Sequence, residues 1–379
     1  MKQLSPQKKV EKKVAFVHDF LVAYGGAERV LESLVKLDPE APIYTLLYDG
    51  DVMNGRFAGR EIRTSFLQKL PRFIRKRYRW LLPLYPVAAE ALDLREFDIV
   101  ISSSGAWSKG IVTRLRTLHI AYLHSPMRLL WDANEQYLDV VRAGGIRRFF
   151  GRILLSYLRV WDREAADRPD VLISNSEYTR ARAEKYYRRD SVVIHPPVTL
   201  TSNKEKKPAR EDFFLVVSRL TASKGIDVAI EAFNKLRLPL RIVGEGRERN
   251  RFESLAEGNI SFLGGVDDAE LVSLYRRAKA VIVPSEEDFG MAAAEAVSFG
   301  TPVIALGKGG TMEIVQEGRT GEFFGAATPE VLADAVRRFL DRGEPAYDAD
   351  KDAAGRFSEA RFLEAWRDTV RKGEADHLK

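Results

Sequence analysis

The sequence predicts an α/β protein built from two doubly wound parallel-sheet domains, and three observations carry that reading. Short apolar runs alternate with amphipathic segments along most of the chain, one polar stretch interrupts the alternation near the middle, and the same alternation restarts behind it. At 379 residues the chain is long for one core and suits two domains of about 100–200 residues each.

In the first half "KVAFVHDF" precedes "GGAERVLESLVKL", "FDIVISSS" precedes "AWSKGI", and "DVLISNS" precedes "EYTRARAEKYY". Each pair reads as a buried strand followed by a helix, the pattern of parallel sheets covered on both faces. After "VVIHPPV" comes "TLTSNKEKKPARED", which has no hydrophobic period and reads as a linker. The alternation resumes with "FFLVVSRL", "GIDVAIEAFNKL", "LPLRIVGEG", "NISFLGGV", "DAELVSLYRRA" and "AVIVP". The openings of the halves, "VAFVHDFLVAYGGAERVLESLV" and "FLVVSRLTASKGIDVAIEAF", share a strand, a glycine-bearing loop and a helix. The expected domains are therefore 1–200 and 210–350, facing across a cleft, since doubly wound sheets bind ligands outside the carboxyl ends of their strands.

Composition narrows the function classes. With 45% hydrophobic and 30% charged residues the chain is an ordinary soluble protein, and with no cysteine it has no disulfide, thiolate nucleophile or cysteine-ligated metal. That fits a reducing cytosol. The basic start "MKQLSPQKKVEKK" leads into "VAFVHDFLV", a first strand broken by His18 and Asp19 and not a signal peptide. No run approaches the ~20 apolar residues of a membrane span. The net charge of +6 is uneven: "REIRTSFLQKLPRFIRKRYR", Arg60 to Arg79, holds eight basic residues and one acid, interleaved with apolar ones and followed by "WLLPLYP". It reads either as a solvated helix face or as a surface for anionic lipid headgroups, with nucleic acid the least favoured partner.

The stretch "SEEDFGMAAAEAVSFGTPVIAL", Ser285 to Leu306, puts carboxylates between two apolar runs. A short helix is expected from about Gly290 to Phe299, stopped by Gly300 and Thr301-Pro302. Glu287 then precedes it and Glu295 lies inside it among four alanines, where a carboxylate costs free energy unless hydrogen-bonded. Glu295 could salt-bridge a neighbouring helix, and Glu287 with Asp288 could favour the helix dipole. A loop after a parallel strand ahead of a helix N-terminus is also a ready anion site, and a carboxylate further on can hold ribose hydroxyls.

"EDFGMAAAE", Glu287 to Glu295, resembles the E-x7-E motif of retaining glycosyltransferases of the GT-B fold, in particular glycosyltransferase family 4. "VSRLTASKGIDVAIEAF", "FLGGVDDAELVSLYRRAKAVIVPSEEDFG" and "FGTPVIALGKGGTMEIVQEGRTGEFF" continue the resemblance through the second half. "GGAERVL" and "AYLHSPMRLLWD" resemble the subgroup of bacterial polysaccharide mannosyltransferases. The resemblance implies that Arg219 and Lys224 hold the donor diphosphate. It also implies that Glu295 meets the ribose, and that Glu287, with the amides at Phe289, Gly290 and Met291, faces the donor sugar or phosphate. It places the base near the Val266 backbone and Asp268. A carboxylate at Asp268 can pair with guanine, although the same residue serves equally as a helix cap before "AELVSLY". His124 in "YLHSPMR" matches the family histidine beside the reacting sugar, and Gly25 and Gly26 lie where backbone approaches a diphosphate. In isolation Arg219 and Lys224 read as exposed strand-end and turn residues, His124 as structural, and Gly25-Gly26 as a tight turn. His18-Asp19 ends the first strand and could face the cleft. The last helix, within 351–379, is expected to cross back to the first domain.

Other patterns fail. "DGD" at Asp49–Asp51 imitates a metal-binding D-x-D but follows an apolar run as a plain turn, and the family needs no metal. "DADKDAAGRFSE", Asp348–Glu359, has calcium-loop acids but Ala353 where the sharp turn requires glycine. "GKGGT" at Gly307–Thr311 has the wrong spacer for a P-loop, and "VGEGRERN" lacks the third glycine of a dinucleotide fingerprint.

The expectation is a retaining, metal-independent hexosyltransferase without cofactor, moving mannose from GDP-mannose to a saccharide or lipid-linked saccharide. It would be cytoplasmic and peripheral on the inner membrane face through the segment near Arg72–Trp80. A UDP-sugar donor is the runner-up. A nucleotide-sugar epimerase and a non-catalytic sugar-nucleotide-binding protein of the same fold remain as alternatives.

Overall fold

The computed structural model describes residues 12–75, 77–132, 145–201, 208–343, 347 and 353–377. Lys76, most of the polar stretch after Leu200 and the acids Asp348, Asp350 and Asp352 lie outside the described residues. The chain divides into two compact units. Unit 1 is Met1–Ser174, Arg180–Val192 and Trp366–Lys379, and unit 2 is Asn175–Thr179 and Val193–Ala365.

Unit 1 carries a seven-stranded sheet: β1 (Val14–His18), β2 (Ile43–Thr45), β3 (Ile62–Thr64), β4 (Ile99–Ser104), β5 (Leu118–Leu123), β6 (Val171–Ser174) and β7 (Val192–Val193). The spatial order is β3-β2-β1-β4-β5-β6-β7, with parallel pairing from β3 through β6, so the winding reverses between β1 and β4. Unit 2 carries six strands: β8 (Phe214–Val217), β9 (Leu240–Val243), β10 (Ile260–Gly264), β11 (Val281–Val283), β12 (Val303–Leu306) and β13 (Gly321–Phe324). Their order is β10-β9-β8-β11-β12-β13, again parallel, and the winding reverses between β8 and β11. The doubly wound α/β architecture expected from the alternation is present in both units.

The longer helices are α1 (Gly26–Leu34), α2 (Tyr85–Glu90), α3 (Gly145–Ala165), α4 (Glu177–Tyr187), α5 (Ile226–Leu236), α6 (Arg249–Leu255), α7 (Asp268–Arg277), α8 (Met291–Ser298), α9 (Pro329–Arg342) and α10 (Glu359–His377). Strand alternation decides what they cover. In β8, Phe214 and Val216 join the core under α5 and α9, while Leu215 joins a second core with residues of α7 and α8. In unit 1, Ala15, Val17 and Val100 pack with Tyr85 of α2 and with Leu158 and Trp161 of α3. On the other face, Tyr122 meets Trp366 of α10, ring centres 5.8 Å apart.

A buried ionic cluster fixes α3. Lys109 and Asp162 have no exposed side-chain surface and lie 2.6 Å apart. Trp131 and Tyr187 each donate to the other Asp162 oxygen at 2.8 Å. Such a pair holds only when its remaining lone pairs are satisfied, as here.

Candidate functional site

In both units most of the side chains of interest lie near where the sheet's winding reverses, the position at which an open α/β sheet leaves a crevice at its strand ends. In unit 2 the loops after β8 and β11 meet there. Lys224, in the turn of the β8 loop, places its ammonium 2.7 and 2.6 Å from the two carboxylate oxygens of Glu287 in the β11 loop. Ser285 donates its hydroxyl to one of those oxygens at 2.7 Å. Both charged side chains are about one-fifth exposed, so Lys224 is not the fully exposed turn residue that its position alone suggests (21% for each). Arg219, two residues past the end of β8, is exposed, and its guanidinium has no partner among the described residues.

Helix α8 begins directly behind Glu287. Its cap is Gly290 at φ +106, a conformation glycine adopts without strain, and a Cβ there would lie 2.8 Å from Thr311. The first amides of a helix have no intrahelical acceptor, and the macrodipole favours an anion before them. The Phe289 side chain is turned inward, stacked on His195 at 5.5 Å, which leaves its backbone as the part available to a ligand. Met291 is packed against the same core.

Glu295 is 5% exposed, and Tyr275 of α7 donates to its Oε2 at 2.6 Å. The alanines beside it are buried against the neighbouring elements. A carboxylate in that setting needs hydrogen bonds, and Tyr275 supplies one.

The "GKGGT" loop after β12 is structural in a way the motif comparison did not reveal. Gly310 donates its amide to the Glu287 carbonyl at 2.9 Å. Gly309 lies at φ +77, and a Cβ there would come within 2.3 Å of the same carbonyl; at Gly310 it would meet the Asp288 carbonyl at 2.4 Å. Glycine is required because two backbones touch.

Val266 and Asp268 lie on the loop after β10 and the start of α7. The cap of α7 is Asp267, whose carboxylate accepts from the Glu270 amide at 2.8 Å. The capping role proposed for Asp268 therefore falls one residue earlier, because Asp267 holds the extended backbone a cap needs and Asp268 is already helical. Behind β12, Glu313 accepts from the amides of Glu177 and Tyr178 at 2.9 Å each and from His195 at 3.1 Å. Burial works to raise this carboxyl, but the His195 and amide hydrogen bonds outweigh it and hold it below the usual range.

In unit 1 the reversal lies between β1 and β4, and it is bridged twice. The Asp19 carboxylate accepts from four consecutive amides, Gly105 to Ser108, at 2.6–2.9 Å, fixing the loop after β4. Beside it runs a chain of side chains. Glu28 of α1 is 3.4 Å from His18 Nε2, His18 Nδ1 is 3.1 Å from Ser103 Oγ, and Ser103 Oγ is 2.8 Å from His124 Nε2. Burial and the neighbouring His18 push His124 down to about 4, which keeps it neutral near pH 7. Burial tends to raise Glu28, yet His18 outweighs it and the carboxyl lies below its usual range.

Gly25 and Gly26 open α1 next to this chain. Gly25 is extended, φ −166, so its backbone does not demand glycine; a Cβ would simply approach Glu28 to 3.4 Å. Asp49 and Gly50 begin a one-turn helix, Gly50–Met53, as a local turn, and Asp51 lies 3.6 Å from Arg72.

The predicted residues therefore fall into two groups, Arg219, Lys224, Val266, Asp268, Glu287, Phe289, Gly290, Met291 and Glu295 in unit 2, and Gly25, Gly26 and His124 in unit 1. Sequence reasoning missed Ser285, Tyr275, Gly309, Gly310, Glu28 and Ser103. Only the glycine pair after a strand carried a usable local signal.

Comparison with known proteins agrees in kind. A family model described as glycosyl transferases group 1 matches residues 198–356, and one described as Glycosyltransferase Family 4 matches 24–202. An uncharacterized glycosyltransferase of Methanocaldococcus jannaschii is 25% identical over 335 residues, 84% of this chain and 86% of that protein. The D-rhamnosyltransferase WbpZ of Pseudomonas aeruginosa is 24% identical over 302 residues, 73% and 79% of the two chains. Among solved structures, Anabaena HepE in complex with UDP and glucose superposes with TM-score 0.67 at 17% identity, covering 95% of this chain and all (100%) of that one. Sucrose-phosphate synthase of Thermosynechococcus elongatus superposes at 0.70 with 19% identity, covering 96% of this chain and 100% of that one.

Proposed function

We propose that the chain, whose fold is GT-B and whose two halves match glycosyltransferase family models, is a retaining, metal-independent hexosyltransferase whose donor is GDP-mannose. The observation that carries the reading is the Lys224–Glu287 pair at the winding reversal of unit 2, ahead of the α8 N-terminus. A nucleotide-diphosphate sugar laid there puts its diphosphate against Lys224, Arg219 and the α8 amides, fixed positive charge that stabilises the departing diphosphate without a metal. Glu287 takes hydroxyls of the sugar, and Glu295, oriented by Tyr275, takes those of the ribose.

In this reading the bond from the anomeric carbon to the diphosphate breaks as the acceptor hydroxyl forms its bond on the same face. The acceptor's proton goes to the leaving phosphate oxygen. His124, neutral and held by Ser103, serves as a hydrogen-bonding group beside the sugar. The acceptor is a growing saccharide carried on a lipid, and the basic, aromatic segment near Arg72–Trp80 lies on the inner membrane surface. No described helix is long and apolar enough to cross a membrane.

A second reading, a UDP-hexose donor, is favoured by the fold neighbour HepE, solved with UDP and with UDP-glucose. The discriminating experiment is thermal unfolding against GDP, UDP, ADP, GDP-mannose and UDP-glucose with EDTA present. A ligand selective for the native state raises its stability by mass action. A shift confined to guanine nucleotides supports GDP-mannose and one confined to uracil nucleotides supports the second reading. No shift from a folded sample overturns both and leaves a scaffold protein. Conversion of the sugar without release of nucleotide would mark an epimerase.

A further inference from the structure

Helix α3 is apolar on both of its faces. Leu155, Leu158 and Trp161 point into the unit 1 core, as the covered face of a helix should. On the outward face Phe149, Phe150, Ile153, Tyr157 and Val160 are 51–65% exposed, a row recurring at helical spacing along about 16 Å of the helix. A helix on a water-facing surface ordinarily presents polar residues there, and a contiguous apolar row marks an interaction site.

Charge identifies the occupant. Arg148, Arg152, Arg159 and Arg163 follow one another along a single flank of this row; Arg159 also donates to the Leu130 carbonyl at 2.9 Å, and Arg163 is paired with Asp167 one turn on. Of the helix's acids, Asp162 is buried on Lys109, and Glu164 is exposed near the C-terminal end. A second set of exposed apolar residues, Phe73, Trp80, Leu84 and Val87, comes from segments packed on the same core as α3. Trp161 of α3 donates to Glu90 of α2 at 2.8 Å, which ties the two elements together. Aromatic and aliphatic residues flanked by arginines form the pattern that enters the headgroup region of an anionic bilayer. A second copy of the chain fits less well, because an antiparallel two-fold contact along the helix would set one arginine row against its own copy.

We propose that the outward face of α3 is a bilayer-docking surface that inserts its apolar row among the headgroups of anionic lipids while the arginine flank meets their phosphates. This rests on the membrane part of the reading above and is independent of its chemistry. The test is sedimentation of the full chain with phosphatidylcholine vesicles with and without phosphatidylglycerol, for wild type and for the exposed-face variant Phe149→Ser/Ile153→Ser/Val160→Ser. The expected result is binding to the anionic vesicles that falls roughly ten-fold or more in the variant. High salt should weaken wild-type binding without abolishing it. Leu115→Ser, which alters a residue 97% exposed outside this helix, should leave binding unchanged. Melting temperature and the nucleotide-induced shift of the variant serve as the fold and donor-site controls. Wild type that ignores anionic vesicles, or a variant that binds as wild type does, overturns the proposal. A variant that only converts a dimer to monomer overturns it in favour of a copy interface. Failure of the donor reading shows separately, as no nucleotide shift in wild type.

Discussion

The ammonium of Lys224 and the carboxylate of Glu287 are joined through both carboxylate oxygens, at 2.7 and 2.6 Å, across 63 residues of sequence. The two loops they come from follow adjacent strands, β8 and β11, so the sheet order brings them together. On the proposed reading Glu287 holds Lys224 in place where the donor diphosphate would otherwise have to recruit it. Preorganisation of this kind avoids reorganisation during the reaction.

Lys224→Ala and Glu287→Ala should each lower turnover by about 10²–10³-fold. Each also strands a partly buried partner, so each should cost measurable stability. The double variant should be less impaired than the product of the singles, since both remove one unit. Turnover of the donor and urea midpoints on the three variants check this; strictly multiplicative losses would show that the pair does not act together.

Arg219 gives a cleaner separation of function from folding. Its guanidinium is exposed with no described partner, so Arg219→Ala should change stability by no more than about 0.5 kcal/mol. If it grips the diphosphate, turnover should still fall about 10²-fold or more. Full activity in a normally folded Arg219→Ala would remove this residue from the donor site.

The loop glycines make a steric prediction. A methyl group at position 310 would lie 2.4 Å from the Asp288 carbonyl and 2.5 Å from the Phe289 Cα, both backbone atoms that cannot rotate away. Gly310→Ala should therefore push the Glu287–Phe289 segment aside, costing about 1–3 kcal/mol and most of the turnover together. A denaturation curve and an assay on the same sample decide it.

How much of this was legible depended on the range of the interaction. Alternation of apolar runs with amphipathic segments is local, so the doubly wound class was readable, as were the short α8 helix and its stop at Gly300. Spacing alone brought Glu287 and Glu295 to notice. Tyr275 was not readable, because in "ELVSLYRRA" it looks like any core aromatic and its hydroxyl finds Glu295 only after α7 and α8 pack. Asp19 was visible as a strand end, but the amides that hold it lie 86–89 residues away. The "GKGGT" spacing excludes a P-loop and says nothing of the neighbouring backbone to which its glycines answer. In α3 the periodicity itself misleads: with both faces apolar, sequence cannot say which one the core takes.

Tyr275→Phe tests the buried end of the motif. The variant keeps the ring and removes the hydroxyl that donates to Glu295 at 2.6 Å, leaving a carboxylate 5% exposed short of a donor. The expected cost is about 1–3 kcal/mol. If Tyr275 also orients Glu295 toward the ribose, KM for the donor should rise more than kcat falls. An unchanged KM would restrict Tyr275 to a structural part.

The last prediction concerns acid. Burial, reinforced by His18, holds His124 at about 4, and burial with Arg168 and Arg189 holds His119 at about 3. An unfolded histidine titrates near 6.5. The unfolded chain therefore takes up protons below about pH 6.5 that the folded chain refuses, and stability falls as the pH drops. Above the unfolded value both states are neutral at these sites and the contribution is constant. The loss should begin near pH 6.5 and stop growing near pH 4 for His124 and near pH 3 for His119, on the order of 3 kcal/mol for the first and 5 kcal/mol for the second at its end. Paired carboxylates such as Glu28 and Glu313, held below their usual range, add to the loss only at lower pH, once their unfolded values near 4.5 are passed. Urea midpoints between pH 8 and 5 therefore isolate the histidines. His119→Gln should flatten the slope in that window, and a slope unchanged from wild type would show that His119 titrates normally in the folded chain.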